Sequence, residues 1–139
     1  MTARYLADSN ILSYFIRGGY PGLHTRMAEE LAQQSVVTSA ICRAELRYGQ
    51  SGLDAQDKRH RMIDLCLQQV PALPWTDKAA DAYGLLARAL RQQGRPIGAM
   101  DTLIAAHALA QGLVLVTHNL RHFQGIAALQ VQDWVGSPS

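Results

Sequence analysis

Apolar residues recur along this chain at helical spacing, broken by short aliphatic runs that read as strands. The stretch from Ile97 to Phe123, IGAMDTLIAAHALAQGLVLVTHNLRHF, shows both patterns in succession. After Asp101, the positions Leu103, Ile104, Ala105, Ala108 and Leu109 follow a helical period, and Gly112 stands where a C′ residue is expected. Leu113 to Val116 is an unbroken aliphatic run, the pattern of a strand buried on both faces of a parallel sheet. It stops abruptly at Thr117-His118-Asn119.

From the N-terminus, Arg4 to Ala7 predicts a strand, followed at once by Asp8-Ser9-Asn10. Ile11, Leu12, Phe15 and Ile16 form a helical stripe that stops at Gly18-Gly19, and Pro21 restarts a helix through Leu23, Met27, Leu31 and Ala32. Val36 and Val37 make a second, very short strand. Ser39 caps a helix that carries Ile41, Ala44, Glu45 and Tyr48 along one side and ends at Gly49. A longer helix is expected from about Ala55 to Gln69. Val70 to Trp75, interrupted by Pro71 and Pro74, reads as a short or edge strand. Thr76 or Asp77 caps a helix ending near Gly94, and Leu129 to Trp134 is a last strand. The alternation βαα, βαα, βαα, β predicts an α/β fold of three layers, with helices on both sides of a central, mostly parallel sheet. One domain over residues 1–135 with a short flexible tail at 136–139 is the expected organisation.

Composition narrows the class. With 48% apolar residues, the chain has enough material for a real core. It holds no apolar run of about 18 residues, so no membrane span is expected. The N-terminal MTARYLADSN goes straight into a strand-like run, without the apolar region of a signal peptide. Cys42 and Cys66 sit in helical patterns without metal-ligand spacing and read as buried thiols, so a cytoplasmic location is expected. A net charge of +2 permits a nucleic-acid partner without arguing for one.

Candidate chemistry gathers at one kind of place. Asp8 lies just past the first strand, with Asn10 two residues on. Glu45 is in the helix after the second strand. Asp101 begins the helix before the buried strand, and Asn119 lies just beyond that strand. If those strands are parallel neighbours, three carboxylates and an amide meet at their C-terminal edge, where open α/β sheets bind ligands. Clustered carboxylates cannot all stay ionised without a cation. A hard divalent ion such as Mg²⁺ or Mn²⁺ relieves the repulsion, and it can activate water for in-line attack on a phosphodiester.

Each residue also has a plainer reading. Asp8 and Asp101 suit helix N-termini. Glu45 could pair with Arg43 or Arg47, and Asn119 could be a turn residue. His118 and His122 would suit a metal only on a regular helix. His107 reads as a packing residue. The sequence shows no nucleophile on a sharp glycine-flanked turn and no phosphate-cradling glycine loop.

In combination, YLADSNILSYFIRG, SAICRAELRYG, IGAMDTLIAAHALAQGLVLVTHNLRHF and LQVQDW carry a resemblance. The chain resembles the PIN-domain toxins of bacterial type II toxin–antitoxin modules, the VapC family, over nearly its whole length. The resemblance implies a PIN-like domain acting as a metal-dependent endoribonuclease. Its acidic quartet would fall on Asp8, Glu45, Asp101 and the variable fourth position Asn119, with Asn10 and Thr117 supporting. Asp8, Glu45 and Asp101 would hold Mg²⁺, with Mn²⁺ as the other candidate. Asn119 departs from an acidic fourth position and supplies no charge, which favours one ion over two.

The resemblance further implies a homodimer and a cognate VapB-type antitoxin that covers the site. Operator DNA would be bound only through the antitoxin complex. Structured RNA, initiator tRNA and ribosomal RNA included, would be the substrate. Competing readings are a metal-independent ribonuclease using His118 and His122 as acid and base, and a non-catalytic module that binds nucleic acid or protein through its arginines. A phosphatase with Asp8 as nucleophile is a weaker third.

Overall fold

Every strand of the sheet is short, and all pair in parallel. The structure is a computed structural model and describes residues 2–135; the expected tail at 136–139 lies outside the described residues. The strands are β1 (Tyr5–Ala7), β2 (Val36–Ser39), β3 (Ala72–Leu73), β4 (Val114–Val116) and β5 (Val131–Gln132). They lie in the order β3-β2-β1-β4-β5. The register places Tyr5 beside both Val36 and Val114, and Ala7 beside Val116. The ends of β1 and β4 are therefore level, and Asp8 N–H donates to the Val116 carbonyl at 3.0 Å to extend their ladder.

The helices are α1 (Ser9–Arg17), α2 (Pro21–Ala32), α3 (Ala40–Ser51), α4 (Arg59–Gln69), α5 (Asp77–Gln92), α6 (Ala99–Gln111) and α7 (Leu120–Phe123). Successive strand residues point to opposite faces, and both faces are covered. Tyr5, Ala7, Val36 and Val116 pack with Ile11 and Leu12 of α1, Leu23 and Met27 of α2, and Cys66 and Leu67 of α4. Leu6, Val37 and Leu115 pack with Leu86 and Leu90 of α5 and Ile104, Ala105 and Ala108 of α6. This is the expected three-layer α/β/α fold. Its purely parallel sheet explains why the strands read as continuous apolar runs rather than alternating ones.

Helix α3 feeds both cores, with Leu46 on one side and Cys42 on the other. It thus lies across the end of the sheet rather than along one face. The side expected to carry Ile41, Ala44, Glu45 and Tyr48 is not the most buried one: Tyr48 is 83% exposed, and Cys42 and Leu46 fill the core.

Several boundaries also move. The helix expected from Ala55 begins only at Arg59. Before it, Asp57 N–H donates to the Asp54 carbonyl and the Asp57 carboxylate accepts from Arg59 N–H, so the aspartates build turns in place of the first helical turn. Between Pro71 and Pro74 only Ala72–Leu73 pairs, at the sheet edge. The last strand shortens to Val131–Gln132, and α7 is an extra turn of helix where only a strand end was expected. Among the described residues no helix is long and apolar enough to cross a membrane.

Candidate active site

The C-terminal ends of β1, β2 and β4 form one edge, and each sends a polar residue directly into it. Asp8 follows β1 and caps α1, its Oδ1 accepting from Ile11 N–H at 2.9 Å. The cap expected of Asp8 is present, and the same position sets a carboxylate at the sheet edge. It is only 4% exposed. Burial, opposed by hydrogen bonds from Thr117 and Ile11 and reinforced by the negative charges of Asp101 and Glu45, pushes its pKa up to about 6. Burial also drives the nearby Cys42 thiol up to about 12, with Asp8 and Glu45 adding to the shift. Cys42 is accordingly an inert thiol.

Thr117, fully buried after β4, links two parts of the edge. Its hydroxyl is hydrogen-bonded to Asp8 and accepts from Asn119 N–H at 3.0 Å. Asn119 is the N-cap residue of α7, half-buried, and its side chain makes no capping bond. On the other side, Thr38 Oγ1 donates to the Ala7 carbonyl at 2.7 Å and ties β2 to the residue before Asp8. Ser39 ends β2 and caps α3, accepting from Ile41 N–H at 3.0 Å.

Glu45 reaches the edge from α3. Its Oε1 accepts from Ser9 Oγ at 2.8 Å. No ion pair joins it to Arg43 or Arg47 among the described residues; Arg47 binds Asp64 at 2.6 Å instead. Asn10 is exposed on α1, and its neighbour Ser9 is the residue that holds Glu45. Glu45 also borders a largely apolar groove of about 420 Å³ between α1, α3 and α4, lined by Ile16, Leu46, Met62 and Ile63.

Asp101 stands in the first turn of α6, where the helix dipole favours a negative charge. Its Oδ2 accepts from His122 Nδ1 at 2.8 Å. His118 turns elsewhere: Nδ1 binds Asp133 Oδ2 at 2.9 Å, and the ring lies edge-on to Tyr14. His107 is a packing residue as expected, fully buried beside Trp75 with Nδ1 2.7 Å from Ser39 Oγ. Burial lowers its pKa, which the Pro74 carbonyl opposes.

Ser9 and the pairing of His122 with Asp101 are the two features that reading the sequence missed. Ser9 was hidden in the Asp8-Ser9-Asn10 run, and the His122 contact joins residues 21 positions apart.

Asp8, Glu45 and Asp101 thus share one edge, and Asp8 feels the charge of both. The convergence is looser than a closed pocket: no three His, Cys, Asp or Glu side chains form a ready-made metal cage among the described residues. Mg²⁺ does not require one. It binds through one or two carboxylates and keeps several waters, and the donors at this edge are hard oxygens of the type it prefers.

Over nearly its whole length the chain is similar to known proteins. The family model of the PIN domain matches residues 5–129. The chain is 38% identical to Ribonuclease VapC1 of Haemophilus influenzae (strain R2866), over 94% of this chain and 97% of that protein. It is 29% identical to the tRNA(fMet)-specific endonuclease VapC of Shigella flexneri, over 94% of this chain and 98% of that protein. Among solved structures, VapBC2 from Rickettsia felis bound to a DNA fragment from its promoter superposes with a TM-score of 0.87 at 30% identity, covering 96% of this chain and 99% of that one. VapBC-1 from nontypeable H. influenzae matches with a TM-score of 0.80 at 37% identity, covering 96% and 98%.

Proposed function

The chain belongs to the PIN-domain family and sits among its VapC ribonucleases, and on that premise we propose that it is a Mg²⁺-dependent endoribonuclease toxin restrained by a VapB-type antitoxin. The observation that carries the proposal is Asp8. A carboxylate buried where β1 and β4 end, in the field of Glu45 and Asp101, is a poor structural choice unless a cation offsets it.

Asp8, Asp101 and Glu45 would hold the ion, with Mn²⁺ as an alternative. When bound, it supplies positive charge for the phosphodiester and lowers the pKa of a water for in-line attack. The protein's own groups orient that chemistry. Thr117 and Ile11 N–H hold the Asp8 carboxylate, and Ser9 holds Glu45. Asn119 adds an uncharged polar group at the rim. Hydrolysis by water would leave a 5′-phosphate and a 3′-hydroxyl.

Structured RNA is the proposed substrate class, and initiator tRNA is the first to try, given the specificity stated for the Shigella relative. The solved VapBC relatives support a VapB-type partner, with promoter DNA bound by the complex. The largely apolar groove beside Glu45 would be the place for a segment of that partner to reach the acidic edge. A homodimer and a cytoplasmic site of action complete the reading, with residues 1–135 as a single domain.

The test is cleavage of total cellular RNA by antitoxin-free protein in Mg²⁺, in Mn²⁺ and in EDTA, beside Asp101→Asn, with product ends mapped. Discrete 5′-phosphorylated products, lost in EDTA and in the variant, are expected. Cleavage that survives EDTA and leaves cyclic phosphates would replace this reading with histidine chemistry. RNA binding without cleavage would make the protein a binding module.

A further inference from the structure

Helix α7 is one turn long, yet its position is tightly determined. Phe123 is 1% exposed and packs into the core with Leu115 and Ile126. Immediately after it, the Gln124 carbonyl accepts from Arg95 Nη2 at 3.0 Å. Gly125 follows at φ +84°, and a Cβ there would lie 2.7 Å from Arg95 Nη1. Arg95 belongs to the segment entering α6. The residues after α7 are therefore clasped to the segment that leads to Asp101.

The clasp presents His122 to the first turn of α6, where Nδ1 meets Asp101 Oδ2 at 2.8 Å. The two side chains are 45% and 33% exposed. A pair this exposed adds little to stability, so the bond is better explained by what it does to the carboxylate. Against an ionised carboxylate Nδ1 must carry the proton, which selects the tautomer. The bond takes up Oδ2, sets the plane of the carboxylate and leaves Oδ1 as the oxygen His122 does not engage. Histidines and carboxylates next to metal ligands commonly act in this way.

We propose that His122 is a positioning residue that orients the Asp101 carboxylate toward the acidic edge, acting through its Nδ1–H. The proposal rests on the metal-nuclease reading of that edge, and its test separates the two. Wild type, His122→Ala, His122→Asn and His122→Gln would be compared as antitoxin-free proteins. Mn²⁺ binding would be followed by electron paramagnetic resonance and RNA cleavage by kcat and KM, with melting curves to confirm the fold.

His122→Ala is expected to bind Mn²⁺ about 10–100-fold more weakly and to lose kcat, with KM for RNA and the melting temperature little changed. Asn, whose amide nitrogen stands near the Nδ1 position, should recover most of the loss; Gln should not. Unaltered Mn²⁺ binding in His122→Ala would overturn the proposal. Recovery by Gln and not Asn would also overturn it, by placing the function on Nε2. If wild type binds Mn²⁺ but cuts no RNA, the nuclease reading fails while the Mn²⁺ series still decides the role of His122. If wild type binds no Mn²⁺, both fall.

Discussion

Ser9 Oγ donates to Glu45 Oε1 at 2.8 Å and joins the first turn of α1 to the middle of α3. Asp8, one residue earlier, caps the same helix. The start of α1 therefore holds one candidate ligand by its backbone and a second by a hydroxyl. The hydrogen bond links the two helices at the sheet edge, beside the core that Ile11 and Leu12 of α1 share with Leu46 of α3.

Replacing Ser9 by Ala removes that bond without touching the core. Its loss should cost about 1 kcal/mol or less in stability. Cleavage should fall roughly fivefold if the whole of that energy orients Glu45. Ser9→Thr, which keeps a hydroxyl, should retain more activity than Ser9→Ala. Urea melts and initial rates on the same preparations check both.

Asp8 makes the metal-free fold less stable as pH rises. Its folded pKa of about 6 lies above the ordinary aspartate value of 3.8, so between these values the folded state binds more protons than the unfolded state. The contribution is fully present below pH 3.8 and is lost as pH rises through about 6. Its size is about 3 kcal/mol. Asp8→Asn should raise the metal-free melting temperature at pH 7, flatten this limb of the pH profile and abolish cleavage. Thermal melts from pH 4 to 8 in EDTA decide it.

His107 acts in the opposite direction. Burial lowers its folded pKa below the ordinary 6.5, so the unfolded state takes up protons first. Its contribution is complete above pH 6.5 and lost as pH falls through the folded value. In Asp8→Asn, where the other limb is removed, stability should decline from pH 6.5 downward. His107→Gln placed on that background should flatten the decline, read by the same melts.

Millimolar Mg²⁺ or Mn²⁺ should raise the melting temperature of the wild type, since an ion that binds only the folded state stabilises it by mass action. At a free concentration of about 100 times the dissociation constant the gain is about 2.7 kcal/mol. Asp101→Asn should weaken the dependence, and Asp8→Asn should weaken it further. A wild-type melting temperature that stays flat across a Mn²⁺ titration would remove the case for a metal at this edge.

The layers of the fold were legible because burial on both faces forces an unmistakable pattern. Leu113 to Val116 reads as an inner strand, and the apolar spacing of α1 and α6 reads as helical. Asp8, Glu45, Asp101 and Asn119 were legible because each stands beside a strand end or on an adjoining helix. What failed was local. The side of α3 expected to carry Ile41, Ala44, Glu45 and Tyr48 leaves Tyr48 exposed, while Leu46 joins Cys42, the expected buried thiol, in the core. The start of α4 was misplaced because Asp54 and Asp57 can satisfy turn hydrogen bonds as readily as helical ones.

From the sequence alone came the chain's periodicities, the order of its elements and the positions of its acids, because each depends on residues a few places apart. The tertiary structure alone decided that Ser9 holds Glu45, that His122 holds Asp101, and that burial pushes the pKa of Asp8 up to about 6. Those contacts join residues distant in the chain, and their geometry is set by how α3 crosses the sheet end and how Arg95 clasps the turn after α7. Side-chain direction and desolvation follow from packing in three dimensions, and no spacing along one chain encodes them.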